Sequence, residues 1–283
     1  MPDFAIVDSH VHLWNPQQFR IPWLDKNVLL NKSYGLAEYG EHTKKSNIGA
    51  FVYVQVDVEP VYALLEAKWA AERAKEDPRL KGIVAFAPLE YGEQSRHFLS
   101  ELVKIDPLVK GVRRIVQGET AVDFHLRPDF IKGAQLLPEF GLSCDICIRN
   151  AQLASTVELV KQCPKTSFVL DHIGKPNIKE HVLEPWRRDL KQLAELPNVC
   201  CKVSGMVTEA DPKWSIADLK PYYEYVLSFF GEDRVMFGGD WPVALLASSY
   251  ERWVATLDEL SAGLSPDARK KLWSENARKF YRL

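Results

Sequence analysis

Short runs of apolar, β-branched residues alternate along this chain with longer stretches of helical periodicity. The runs at 5–10, 50–56, 82–87, 111–116, 142–148, 167–171, 199–203 and 234–237 are nearly unbroken in apolar character. Runs of that kind suit strands covered on both faces by other elements. Between them, apolar residues recur at helical spacing over 62–75, 94–104, 129–140, 153–162, 186–196, 218–230 and 250–260. A strand followed by a helix, repeated about every 30 residues, predicts βα units around a parallel sheet. The pattern fits a closed (β/α)8 barrel, and an open doubly wound sheet is the alternative.

One segment breaks the rhythm. Residues 14–39 carry Pro16, Pro22 and Gly35 and read as a long loop. Because it follows the first strand, it is the expected cover for a site at the strand ends. No Pro/Gly/Ser-rich linker or low-complexity tract divides the chain, so residues 1–283 are expected to form a single domain.

Composition narrows the partners. With 46% hydrophobic and 26% charged residues, the chain can bury a large core. Its formal charge of −2 gives no cationic excess for a phosphate backbone or an anionic membrane. A small-molecule substrate is therefore expected, with neither nucleic acid nor membrane as partner, and assembly into a homo-oligomer stays open. The opening Met1-Pro2-Asp3-Phe4 lacks a basic stretch followed by a long apolar one, which leads us to expect a cytoplasmic location. Cys144, Cys147, Cys200 and Cys201 lie within apolar runs, as reduced buried thiols do.

In a parallel barrel, chemistry collects at the C-terminal ends of the strands. Polar residues sit there repeatedly: His10 and His12, Gln55 and Asp57, Arg113 and Arg114, Asp145, Asp171 and His172, Lys202, and Asp240. His10 and His12, at i and i+2, share one face of a strand and can polarise a carbonyl or hold a metal ion. Arg113 and Arg114 must point to opposite faces, so at most one enters the barrel. The Gly238-Gly239 pair is too short for a phosphate loop and reads as room for a tight turn.

These residues carry a resemblance. His10-Val11-His12, His172-Ile173-Gly174-Lys175-Pro176 and Gly238-Gly239-Asp240-Trp241-Pro242 resemble the amidohydrolase superfamily. Trp14-Asn15-Pro16, Pro22-Trp23-Leu24 and the stretch 275–281 extend the likeness over nearly the whole chain. The similarity is greatest to its lactonase-type branch, which includes L-fuconolactonase, L-rhamnonolactonase and 2-pyrone-4,6-dicarboxylate lactonase. The resemblance implies a distorted (β/α)8 TIM barrel, a strand-eight aspartate base and a strand-six histidine in the catalytic centre. It favours Arg113 as the inward arginine.

Departures from the superfamily pattern bear on metal. The fifth strand reads Cys144-Asp145-Ile146-Cys147-Ile148, without a histidine, and the fourth offers arginines that cannot ligate a cation. The remaining metal ligands are His10, His12 and Asp240, a sparse set for Zn²⁺ that points to a weakly held or dispensable divalent ion.

Lactone opening needs an activated water, a stabilised oxyanion and a proton for the ring oxygen. The expected roles are Asp240 as general base, with His10, His12 and His172 polarising the carbonyl. Arg113, Gln55, Trp14 and Lys202 are the candidates for gripping substrate hydroxyls or a negative group. Two rival readings are a metal-dependent decarboxylase of the same superfamily and a non-catalytic sugar-acid binding protein.

Overall fold

The computed structural model describes residues 2–283. Its eight strands are β1 (Ile6–Val11), β2 (Ile48–Val54), β3 (Leu80–Ala85), β4 (Val109–Val112), β5 (Ser143–Ile146), β6 (Phe168–Leu170), β7 (Val199–Val203) and β8 (Val235–Phe237). They form one parallel sheet in chain order, which curls into a barrel. The open doubly wound alternative is thereby excluded, because such a sheet reverses its strand order at a switch point.

All eight expected strands form, but several are shorter than their apolar runs. The run 111–116 becomes Val109–Val112, and 142–148 becomes Ser143–Ile146. In both, the chain leaves the ladder where its residues turn toward the barrel mouth.

The barrel wall separates two packed regions. Val7, Ala50, Val52, Val54, Val84, Val169 and Met236 fill the interior. Small and β-branched side chains suit that narrow space. Their neighbours on the opposite strand face, such as Phe51, Tyr53, Ile83, Leu170 and Phe237, pack in the larger outer core beneath the helices. Seven long helices match the expected ones: α2 (Ala63–Glu76), α3 (Ser95–Leu102), α4 (Pro128–Leu136), α5 (Leu153–Gln162), α6 (Trp186–Ala194), α7 (Ile216–Phe230) and α8 (Tyr250–Leu260).

Three further helices stand outside the sequence expectation. The eight-residue α1 (Leu36–Thr43) occupies the end of the segment read as loop and the residues just after it, with Gly40 interrupting its periodicity. Its start is fixed by the Gly35 N–H, which donates to the Glu38 carboxylate at 2.8 Å. At the other end of the chain come α9 (Pro266–Lys270) and α10 (Asn276–Tyr281). Ala277 and Tyr281 of α10 join the barrel-interior cluster, so this helix plugs the barrel from below.

β1 is irregular, and the irregularity matters. Simple alternation from the inward Val7 would turn His10 and His12 outward. The pairing with β2 shifts between Asp8 and Val11, however, and Val11 joins the outer core while both histidines face in. Asp8 is left facing the helices, where it accepts hydrogen bonds from Tyr250 Oη (2.8 Å), Tyr39 Oη (3.2 Å) and the backbone N–H groups of Gly239 (2.7 Å) and His10 (3.0 Å). Burial pushes its carboxyl up to about 6 against the pull of those four bonds. Substituting Asp8→Ala strands all four buried donors, and urea unfolding should show a loss of about 3 kcal/mol or more. An unchanged midpoint would mean that Asp8 does not hold the β1–β8 seam.

Candidate active site

At the barrel mouth, β1 and β8 meet through two backbone hydrogen bonds. The Asp240 N–H donates to His10 O at 2.8 Å, and the His12 N–H donates to Trp241 O at 2.7 Å. Three of these four residues are candidate site residues, so barrel closure and site assembly are one event. Gly238 and Gly239 permit the approach. Neither adopts a positive φ, and a side chain at 239 would collide with the Asp8 carboxylate. They serve close packing rather than the tight turn expected from sequence.

The ring of His12 is fixed by its Nδ1, 2.7 Å from Val54 O. A carbonyl only accepts, so Nδ1 carries the proton and Nε2 presents a bare lone pair. His12 Nε2 lies 3.1 Å from His10 Nε2 and 3.6 Å from Asp240 Oδ1, while His10 Nε2 lies 3.8 Å from that same oxygen. On the far side of Asp240, its Oδ2 stands 3.9 Å from His172 Nδ1.

His172 sits in a turn of unusual backbone. His172, Ile173, Gly174 and Lys175 all have positive φ, as do Asp57 and Asp240. Non-glycine residues avoid this region unless the surroundings impose it, and such residues cluster at functional sites. Here Trp186 Nε1 holds Ile173 O at 2.7 Å, and Ser204 Oγ meets His172 Nδ1 at 2.9 Å. Gly205, at φ +61°, leaves room for the imidazole: a Cβ there would lie 2.6 Å from His172 Nδ1.

Burial and the surrounding charges divide protons sharply. Burial, helped by the Lys202 ammonium and opposed by Asp171, holds His10 well below the usual imidazole range, and burial lowers His12 as well. Burial likewise takes His172 down to about 4. Burial works against ionisation of Asp240, yet His172, His12 and His10 together outweigh it and hold the carboxyl well below its ordinary value. At neutral pH an ionised carboxylate thus faces three neutral imidazoles.

The other sequence candidates occupy different places. Arg113 points inward and reaches the cavity wall, with Nη1 on Asp171 Oδ2 (3.0 Å) and Nη2 on Gln55 O (2.6 Å). Arg114 points outward to Glu90 and Glu119. Gln55, Trp14 and Lys202 are all buried outside the cavity lining. Gln55 bonds the Arg113 carbonyl and the Asp57 N–H, and Trp14 Nε1 bonds Lys32 O at 2.9 Å. Lys202 lies beneath His10, bonded to Asp145. Asp171 is likewise wholly buried, between Arg113 and Lys202.

A cavity of about 320 Å³ opens above Asp240, lined by His12, His172 and Arg113. That is the lower end of the ~300–1,000 Å³ typical of small-molecule sites. Lys175, Gln117, Glu209, Thr208, Asp57, Asn27 and Trp23 add to its polar wall. Trp23 belongs to the segment expected to cover the site, and its Nε1 is tied to Val56 O at 2.7 Å. Lys175 bonds Gln117 at 2.5 Å. The sequence signalled Lys175 through the His172-x-Gly-Lys-Pro motif. Glu209 and Gln117 carry no local signal, because only the fold brings their loops to the mouth.

A family model described as amidohydrolase matches residues 7–283. The chain belongs to that family. An L-fucono-1,5-lactonase of Burkholderia multivorans is 31% identical over 293 residues, covering 98% of this chain and 96% of the relative. An L-rhamnono-gamma-lactonase of Scheffersomyces stipitis is 23% identical over 337 residues, covering both chains fully. A crystal structure of a Burkholderia multivorans amidohydrolase with bound zinc superposes with a TM-score of 0.89 at 29% identity, covering 99% of this chain and 100% of that one.

The donor set of this amidohydrolase fits a divalent ion. His10 Nε2, His12 Nε2 and Asp240 Oδ1 lie 3.1, 3.6 and 3.8 Å apart. Neighbouring corners of a tetrahedral zinc site lie about 3.4 Å apart. Arg113 Nη1, 3.3 Å from His10 Nε2, sets a fixed positive charge against that ion. Among the described residues no helix is long and apolar enough to cross a membrane, and all five cysteines are free.

Gly205→Ala tests the packing around His172. Urea unfolding should show a loss of about 1–2 kcal/mol, and a crystal structure of the variant should show the imidazole moved off Ser204. Full stability with His172 in place would contradict this account.

Proposed function

We propose that this amidohydrolase hydrolyses the ring ester of a sugar-acid lactone, of the L-fucono- or L-rhamnono-lactone type, to the open aldonate. The observation that carries the reading is the ionised Asp240 set against neutral imidazoles at the foot of a polar cavity. Lactonases among its relatives support the substrate class.

In the proposed reaction, a water donates one hydrogen to Asp240 and the other to the bare Nε2 of His12, leaving an oxygen lone pair for the lactone carbonyl. Asp240 takes the proton as the C–O bond forms. Its depressed pKa makes it a weak base, which an ester carbonyl polarised by hydrogen bonds tolerates. His172 supplies that polarisation: with the Ser204 hydroxyl donating to Nδ1, its Nε2–H points to the developing oxyanion, and the Arg113 guanidinium adds positive charge nearby. Collapse of the tetrahedral intermediate breaks the bond to the ring oxygen, which receives the proton from Asp240. Lys175, Gln117 and Glu209 are placed to bond ring hydroxyls. A divalent ion held by His10, His12 and Asp240 would supply Lewis acidity toward the carbonyl. The decarboxylase alternative requires a fuller histidine set, and the fifth strand instead places Asp145 against Lys202.

Two outcomes test the proposal. In a pH-stat assay with aldonolactones, Asp240→Asn should lower hydrolysis at least ~100-fold while circular dichroism shows an intact fold. Turnover near that of the unaltered enzyme would remove Asp240 from the role. The activity should also stay level as pH falls from 7 and drop near 4, where His172 gains its proton. An acid limb near the ordinary imidazole value of ~6.5 would contradict the neutral, desolvated His172.

A further inference from the structure

The residues lining the cavity sort by chemistry around the barrel mouth. Because the strands follow chain order and β8 closes on β1, the loops after β8, β1 and β2 are neighbours there. They bring Val243 and Leu246, Trp23, and Val56 to the cavity, in that order. Across from them, the loops after β4, β6 and β7 bring Gln117, Lys175 and Glu209. One arc is mainly carbon. The other holds most of the hydrogen-bonding groups, with Ile115 and Cys147 as its apolar members.

The apolar arc is held rigid, and its polar atoms are largely engaged elsewhere. Indole has a single donor, and that of Trp23 is taken by Val56 O at 2.7 Å. The Val56 N–H donates to Glu66 Oε1 at 2.8 Å, and Tyr53 Oη holds the same oxygen at 2.9 Å. Trp23 and Val56 therefore offer the cavity only carbon. Trp14 packs edge-on to the Trp23 ring, with centroids 5.4 Å apart. Two polar residues interrupt the arc: Asn27 uses its side-chain oxygen on the Leu30 N–H at 3.0 Å, and Asp57 is exposed to solvent. Trp23 and Leu246 nevertheless stay 37% and 47% exposed. Large apolar side chains left uncovered at a cavity mark a surface that a ligand covers.

We infer that Trp23 and Leu246, with Val56 and Val243, form a subsite for an alkyl substituent on the substrate ring, and that this subsite selects a 6-deoxy lactone over its 6-hydroxy counterpart. The subsite rests on the lactonase reading. With the lactone carbonyl between Asp240 and His172, and the ring hydroxyls toward Gln117, Lys175 and Glu209, the C6 substituent falls to the apolar arc. A methyl group there leaves water without losing a hydrogen bond. A hydroxymethyl group would leave water and meet carbon on four side chains. An apolar pocket discriminates between such groups by ~10–100-fold.

The test compares kcat/KM for lactones matched in configuration and ring size and differing only at C6, such as L-fuconolactone with L-galactonolactone and L-rhamnonolactone with L-mannonolactone. The better-used pair should favour the 6-deoxy member by ~10–100-fold. Trp23→Ala and Leu246→Asn should each bring that ratio toward one, chiefly by slowing the 6-deoxy lactone. Leu246 is half-exposed, so its variant should fold even if the tryptophan variant does not. General damage to the site would slow both lactones together and leave the ratio in place. A ratio near one in the unaltered enzyme, or one that a folded variant leaves in place, overturns the subsite. Isothermal titration with 1,5-anhydrohexitols, which keep the ring but carry no carbonyl, separates this inference from the lactonase reading. An enzyme inert toward every lactone that still binds the 6-deoxy anhydrohexitol in preference to the 6-hydroxy one defeats the lactonase reading and keeps the subsite. Equal binding of the two, or binding of neither, by such an inert enzyme defeats both. Hydrolysis of lactones without regard to C6 defeats the subsite alone.

Discussion

The structure depends on how little backbone closes its barrel. β8 is only three residues long, and the seam to β1 is made at the mouth by the Asp240–His10 and His12–Trp241 backbone bonds. A parallel sheet left open there would expose unpaired N–H and C=O groups in the core, at a cost comparable to a lost hydrogen bond for each group. The chain closes the gap with the same residues that carry the candidate chemistry. Asp8 secures the seam from the helix side, gathering two tyrosine hydroxyls and two backbone N–H groups around one carboxylate. Fold stability and site geometry are therefore coupled: what loosens the seam also separates Asp240 from the histidines.

Beneath the seam lies a buried layer of charge. Arg113 and Lys202 oppose Asp145 and Asp171, all within the barrel. Asp171 is held well below the usual carboxylate range: burial resists its ionisation, but Lys202, His10 and Arg113 prevail. Such a network contributes little net stability, because desolvation offsets attraction. Its value is positional. Burial and the Lys202 ammonium keep His10 neutral, and with the imidazoles neutral, Asp240 is the site's ionised acceptor. Apolar residues of the same volume would fill the barrel as well but would fix neither charge nor proton position.

Much of this was legible in the sequence, and the reason is periodicity. All eight strands and the seven long helices follow from apolar patterning, since a strand covered on both faces and an amphipathic helix each leave a distinct spacing. Helix α1 escaped because eight residues with Gly40 inside carry too little pattern. The inward direction of His10 and His12 rests on a register shift in β1 that no local pattern announces. His10, His12, His172, Asp240 and Arg113 converge as the strand-end reading implied. Gln55, Trp14 and Lys202 share that strand-end signal, yet the structure buries them as supports, because sequence position marks which residues reach the mouth but not which reach the cavity. Glu209 and Gln117 line the cavity through loop placement alone.

These features join in one claim: closing the barrel sets an ionised Asp240 against neutral imidazoles, ready to deprotonate a water. Neutron diffraction from deuterium-exchanged crystals at pH 7 tests it most directly. The account predicts no deuterium on Asp240, one deuterium on each of the His10, His12 and His172 rings, and a water within hydrogen-bonding distance of both Asp240 Oδ1 and His12 Nε2. Deuterium on the Asp240 carboxyl, or a doubly deuterated imidazole beside it, would contradict the account.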